Sequence, residues 1–288
     1  MDQVVKALVG GGEISLTVIK NRDMVQKAAV VHLLSDLGMH ALGRVLTAVT
    51  YMCAHLKDER GKISATFKGD GAGGDLCVAG DYFLHMRGAI DDPYVYLPKR
   101  DGEEDVAACI GKKGTLTVVR DDGYEQPFVG VCDLSSGDVS EEFTRYFALS
   151  EQLPTAFALF AETKDDDCAF SGGVMIQPLP GASEEAVTKV GEIFSRPDLK
   201  ELLKEMDAET FAREVFGAEE LSCRTPLYQC NCSRAYLRDV LMSFGEAELR
   251  DMLKQDGRIC AHCHFCNTDY VFYEEDVNEM FAQGANEA

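Results

Sequence analysis

No apolar run in the 288-residue chain approaches the roughly 18 residues needed to span a bilayer, which excludes a membrane-spanning helix. Residues 1–12 lack the basic end and continuous apolar stretch of a secretory signal, so the cytoplasm is the expected compartment. Basic charge is scarce: 28 Lys and Arg face 49 Asp and Glu, a net charge of -21. That balance argues against a nucleic-acid partner and an anionic membrane surface, because phosphate binding draws on clustered Lys and Arg. Its ordinary role is solubility. The glycine-rich segment 69–74 (GDGAGG) lacks the Lys-Ser/Thr ending of a phosphate cradle and precedes a strand pattern, so it reads as a turn and no nucleotide is expected. Ser150 sits in no G-x-S-x-G elbow, and His32, His40, His55 and His85 show no metal-ligand spacing. With no catalytic set, the chain is not expected to be an enzyme.

What is present is enough apolar material, 46% of residues, to bury at least one sizeable core. Residues 13–20 (EISLTVIK) read as a strand, and 24–56 carry apolar residues at helical spacing, fitting one long helix or a broken pair. Further strand patterns lie at 62–68, 75–79, 115–120, 127–132, 155–161 and 173–178, with turn signals at 69–74, 121–123 and 135–137. The fold class is α+β, with a sheet-rich N-terminal domain over 1–180.

Residues 181–222 change to helix formers, and 183–222 hold 11 acidic residues against 5 basic ones. This segment is expected to be a helical linker. Its apolar positions recur at three- and four-residue spacing and must rest on something. Phe194, Leu202, Leu203 and Phe216 belong to that stripe and are candidates for binding apolar segments of other proteins.

The third unit, 223–288, holds two helical patterns between cysteine pairs. Ser233 can cap one over 234–242, and 246–255 forms another that stops at Gly257, while 270–273 reads as a closing strand. Six of the eleven cysteines crowd between Cys223 and Cys266. An odd count in a long chain without an export signal points to metal or redox chemistry and away from a disulfide framework.

Cys230-Asn231-Cys232 and Cys263-His264-Phe265-Cys266 make two close pairs joined by a helical segment, a tetrahedral thiolate set of the kind zinc prefers when every ligand is protein. Four sulfurs leave no open position, so a structural or redox role is favoured over hydrolysis. So small a unit needs the metal to fold, because structural zinc contributes on the order of 10 kcal/mol. Spacing alone leaves alternatives: Cys260, Cys263 and Cys266 form overlapping C-x-x-C pairs, and His262, His264 and Cys223 lie close by. A dithiol oxidoreductase site would sit at a helix N-terminus in a βαβ context, which 262–272 does not resemble. A zinc ribbon for nucleic acid would carry a basic stripe, yet five basic and five acidic residues lie between Cys230 and Cys266.

Across nearly its whole length the chain resembles the 33 kDa heat-shock chaperonin family (HslO), a redox-regulated holdase. The residues that carry the resemblance are ALGR at 41–44, GDG at 69–71, MRGAI at 86–90, SEQLP at 150–154, GGVMIQPLPGA at 172–182, CNCSR at 230–234, and HCHFC at 262–266 with YVF at 270–272. The resemblance implies one Zn2+ held by Cys230, Cys232, Cys263 and Cys266 in the reduced, inactive form. Cys260 is a departure from the family pattern. It further implies that oxidation pairs Cys230 with Cys232 and Cys263 with Cys266, that the metal is released, and that the C-terminal domain and linker unfold. The Cys-x-Cys ring is very tight, so that disulfide should be strained and easily reduced. The implied product is an ATP-independent chaperone, homodimeric when active, that protects unfolding client proteins from aggregation under oxidative and heat stress. A thiol-disulfide enzyme and a constitutive zinc-stabilised interaction protein are the competing classes.

Overall fold

The computed structural model describes residues 1–124 and 126–282, and the chain divides into two compact units, Met1–Gln229 and a second that begins at Cys230. In chain order the first unit contains β1 (Gln3–Val9), β2 (Ile14–Lys20), α1 (Arg22–His32), α2 (Asp36–Ala54), β3 (Lys62–Gly69), β4 (Leu76–Asp81) and β5 (His85–Ile90). It continues through α3 (Val106–Ile110), β6 (Gly114–Asp121), β7 (Phe128–Asp133), α4 (Val139–Tyr146), β8 (Ala156–Lys164) and β9 (Asp167–Pro178). Three helices follow, α5 (Glu184–Phe194), α6 (Leu199–Glu205) and α7 (Ala208–Phe216), and then the short β10 (Leu221–Arg224) and β11 (Leu227–Tyr228). The second unit has α8 (Arg234–Met242), α9 (Glu246–Asp256), β12 (Ile259–Cys263), β13 (Thr268–Phe272) and α10 (Glu274–Ala282). The α+β class expected from the sequence is the class observed. No helix among the described residues is long and apolar enough to cross a membrane.

Two sheets organise the first unit, with strand orders β10-β1-β2-β9-β8 and β11-β5-β4-β3-β6-β7. The helical pattern over 24–56 is a broken pair: Leu33 takes a left-handed conformation (φ 54°), and Ser35 then caps α2 by accepting from Gly38 N. From Leu37 to Ala54 every residue of α2 except Arg44 is buried, as befits a helix that is apolar all round. Its side chains share one core with Ile19, Phe157 and Met175 of the first sheet and with Ala65, Val78 and Leu116 of the second. The hydroxyls of Thr47 and Thr50 are satisfied by their own helix, at Gly43 O (2.8 Å) and Leu46 O (2.7 Å).

The other face of the first sheet is also apolar. In β1 and β2, Val5, Ala7, Val9, Ile14, Leu16 and Val18 alternate away from α2 and are covered by α5, α6 and α7. The segment expected as a linker is therefore a packed layer of the first unit. The boundary expected before residue 223 lies later, between Gln229 and Cys230. The reason is strand pairing: β10 adds to β1, with Cys223 opposite Val5, and β11 adds in parallel to β5.

The 69–74 segment is the turn the sequence suggested. Gly71 donates to Ile110 O (3.1 Å), and a Cβ on Gly71 would come within 2.3 Å of Cys109 O, so only glycine lets this turn lie against α3. Nearby, Glu142 of α4 is 1% exposed, and its Oε1 accepts from the backbone N–H groups of Ser135 (2.8 Å), Ser136 (2.7 Å) and Gly137 (2.9 Å). Burial pushes this carboxyl up, but the three donors outweigh it and hold its pKa below the usual glutamate value. The stabilisation is therefore present above that usual value and is lost as pH falls through the lower folded one. Glu142→Gln should cost about 2 kcal/mol at pH 7 in urea unfolding, and the gap to the parent should close below about pH 4.

Candidate metal centre and the helices over the sheet

The second unit has a small core, made by Leu241, Leu249, Ile259, Phe272, Val277 and Met280. Few buried side chains of this kind can hold a fold of that length without a cross-link. Cys230 and Cys232 enter just before α8, whose first turn is capped by Ser233 accepting from Tyr236 N. Cys263 ends β12 and Cys266 lies in the turn to β13, where Asn267 takes the left-handed conformation that reverses the chain (φ 52°).

These two loops bring four sulfurs together. Cys230 and Cys263 Sγ are 3.7 Å apart, Cys232 and Cys266 Sγ are 3.2 Å apart, and all four lie within 4.8 Å of one another. Four sulfurs about 2.3 Å from one ion would be about 3.8 Å apart at tetrahedral geometry, so the set could hold a metal ion. The hydroxyl of Tyr270, on β13, is 3.3 Å from Cys232 Sγ. Burial pushes the Cys232 thiol up, but hydrogen bonds from Tyr270 and the other three sulfurs prevail and bring it down to about 7. Burial raises the Cys230 and Cys266 thiols, so Cys232 gives up its proton before those two.

The alternative ligands stay outside. Cys260 is exposed on β12 opposite Val271, on the strand face away from Ile259 and Cys263. His262 Nδ1 is 2.7 Å from Asp269 Oδ1, and the His264 ring stands edge-on to that of His262 at 5.1 Å. Cys223 is an exposed residue of β10, in the other unit. Of the N-terminal cysteines, Cys53, Cys109, Cys132 and Cys168 are buried, and burial raises their thiols, Cys109 and Cys168 to about 12. Thiols held protonated in apolar surroundings are poor nucleophiles, so these four are withdrawn from sulfur chemistry, whereas Cys77 is half-buried and Cys223 exposed.

None of the four client-binding candidates is exposed in this structure. Leu203 (0%) and Phe216 (6%) are buried against the first sheet, and Phe194 and Leu202 are partly buried on the same cluster. Polar contacts also seat these helices. Glu162 of β8 pairs with Lys200 (2.8 Å) and Lys204 (2.5 Å) of α6, and Lys20 of β2 donates to Lys204 O (3.3 Å) and Met206 O (2.5 Å) at that helix's C-terminal end. Gln3 reaches Glu209 of α7 (2.6 Å). The sequence reading missed this clamp and Tyr270. The one local signal was the Lys200/Lys204 pair, four apart in an acidic segment; Glu162 and Lys20 join it only through sheet register.

Comparison with known proteins accords with this architecture. The family model described as Hsp33 protein matches residues 2–273. A 33 kDa chaperonin of Acetivibrio thermocellus is 37% identical over 96% of this chain and 95% of its own, and one of Caldanaerobacter subterraneus is 31% identical over 99% of each. The crystal structure of a 33 kDa chaperonin from Thermotoga maritima superimposes with a TM-score of 0.88 at 28% identity, covering 99% of both chains. With a family match over nearly its full length and relatives that align end to end, the chain belongs to the Hsp33 family.

Proposed function

We propose that this protein is a cytoplasmic, ATP-independent chaperone of the holdase type, silent while its C-terminal cysteines are reduced and switched on by their oxidation. The observation that carries this reading is the convergence of Cys230, Cys232, Cys263 and Cys266 in a unit whose own core is small, within a chain of the Hsp33 family. A closed thiolate set of this kind suits one Zn2+, which when bound supplies the cross-link that folds the unit.

Oxidation acts on the residues that make the cross-link. Hypochlorite, or peroxide with heat, takes two electrons from each pair of neighbouring thiolates. Cys230 joins Cys232 and Cys263 joins Cys266, while hypochlorite leaves as chloride and hydroxide. Sulfurs tied to each other no longer bind metal as thiolates, and the unit loses its fold.

The chain offers a route for that loss to spread. Gln229 N donates to Met86 O (2.8 Å), and behind it lie only the two residues of β11 and the four of β10, both edge strands. Short edge pairings are where local opening is least costly. Once they fray, α5 to α7 keep only their own contacts with the sheet. Their release would expose the Phe194, Leu202, Leu203 and Phe216 stripe for unfolding clients, together with the sheet face beneath it. The active form is a homodimer in this reading.

Three outcomes test it. Reduced protein should leave the light scattering of a heat-unfolding client unchanged, and oxidised protein should suppress it at about one chaperone per client; equal protection by both forms would refute the switch. Cys263→Ser should lower bound zinc and the C-terminal unit's protease resistance, whereas Cys260→Ser should leave both unaltered. Glu162→Gln removes both ion pairs to α6, which should weaken its seating by about 1 kcal/mol and speed proteolysis within 195–207 of the reduced protein several-fold. Cleavage at the parent's rate would show that the clamp does not hold the helix.

A further inference from the structure

The sulfur of Cys232 meets the hydroxyl of Tyr270 at 3.3 Å. A sulfur that binds an ion as thiolate has no proton, so with metal bound the phenol is the donor. Strand register puts it there. Tyr270 lies opposite Ala261 of β12, on the face it shares with Ile259, Cys263 and Phe272. Its ring packs on the small core of the unit while its hydroxyl reaches the sulfurs.

Arg234 fixes the two sides of this contact to each other. It follows Cys232 by two residues and donates to Val271 O (2.7 Å) and to Asp276 Oδ1 (2.7 Å), and its guanidinium carbon lies 4.3 Å from the centre of the Phe272 ring. The loop that carries Cys232 is thereby tied to β13 at the two residues after Tyr270.

We propose that Tyr270 governs how readily Cys232 is oxidised, by shielding its sulfur through this hydrogen bond. While metal is bound all four ligands are thiolates, so their reactivities differ by access and by electron density at sulfur. A hydrogen bond draws density from the sulfur and makes it a poorer nucleophile. With peroxide, the Cys232 thiolate bonds to one oxygen as the O–O bond breaks and hydroxide leaves. The Cys230 thiolate then attacks the resulting sulfenic acid at sulfur, giving the disulfide and a second hydroxide. The phenol slows the first of these steps, because it holds charge that the attack on peroxide needs.

This inference rests on the oxidation switch proposed above and concerns its threshold. The test uses reduced, zinc-loaded full-length protein, with Tyr270→Phe to remove the hydroxyl and keep the ring. Initial rates of iodoacetamide alkylation and of peroxide oxidation are followed at each cysteine by peptide mass spectrometry. Cys232 should react about threefold faster in the variant with both reagents, while the other three ligands keep the parent's rates. With Co2+ in place of zinc, the sulfur-to-metal charge-transfer band should move to longer wavelength, since one sulfur has become richer in electrons. An unchanged Cys232 rate overturns the proposal. So does an equal rise at all four ligands, or loss of bound metal, either of which would make the hydroxyl a support of the fold. A faster Cys232 with an unmoved band would leave the hydroxyl as a steric cover and overturn the hydrogen bond as the cause. None of these readouts involves a client. A failure of the switch, seen as equal client protection by reduced and oxidised protein, is therefore told apart from a failure of the shield.

Discussion

A sheet with two apolar faces must be covered twice, and most of this structure answers that demand. The β10-β1-β2-β9-β8 sheet presents Ile19 and Met175 to one core and Val5, Leu16, Val18 and Val174 to the other. On the first side the cover is α2, buried between two sheets and unable to leave without dismantling the domain. The second cover is made of three short helices joined by turns, seated by apolar contacts and by the Glu162 and Lys20 clamp. Each fully buried aliphatic side chain contributes about 1.5–3 kcal/mol, so baring this face is uphill unless something apolar replaces the helices. In the holdase reading an unfolding client does so, exchanging one cover for another without nucleotide energy.

The C-terminal unit has the opposite character. Its apolar core is small and its four sulfurs are within reach of one ion, so in the proposed reading its fold depends on the chemical state of sulfur. The first unit keeps Cys53, Cys109, Cys132 and Cys168 buried as protonated thiols, while its Cys77 is half-buried and its Cys223 exposed.

Much of the fold was legible where local pattern and tertiary demand agree. The 13–20 and 115–120 strands, the Ser233 cap and the Gly257 stop were read from alternation and end signals, and they stand as β2, β6, the N-cap of α8 and the left-handed end of α9. β1 was missed because it follows the chain start and precedes three glycines, and only its pairing with β2 makes it a strand. β10 and β11 were illegible for a deeper reason: four and two residues carry no periodicity, and each is a strand only because an edge was open to receive it. That same pairing shifted the domain boundary from 223 to 230.

By itself the sequence determined the crowding and spacing of the C-terminal cysteines, the helical character of 181–222 with its apolar stripe, and the α+β class, since each rests on residue type and short-range periodicity. Tertiary structure alone decided that Cys260 points away while Cys263 points in, because one residue's offset on β12 selects the face. It decided that Tyr270 meets Cys232 and that Glu162 meets Lys200 and Lys204, because those encounters depend on register between segments far apart in the chain. It also decided that the apolar stripe is covered. A periodic stripe says that a helix must rest on something, but what it rests on is set by which sheet face is left bare.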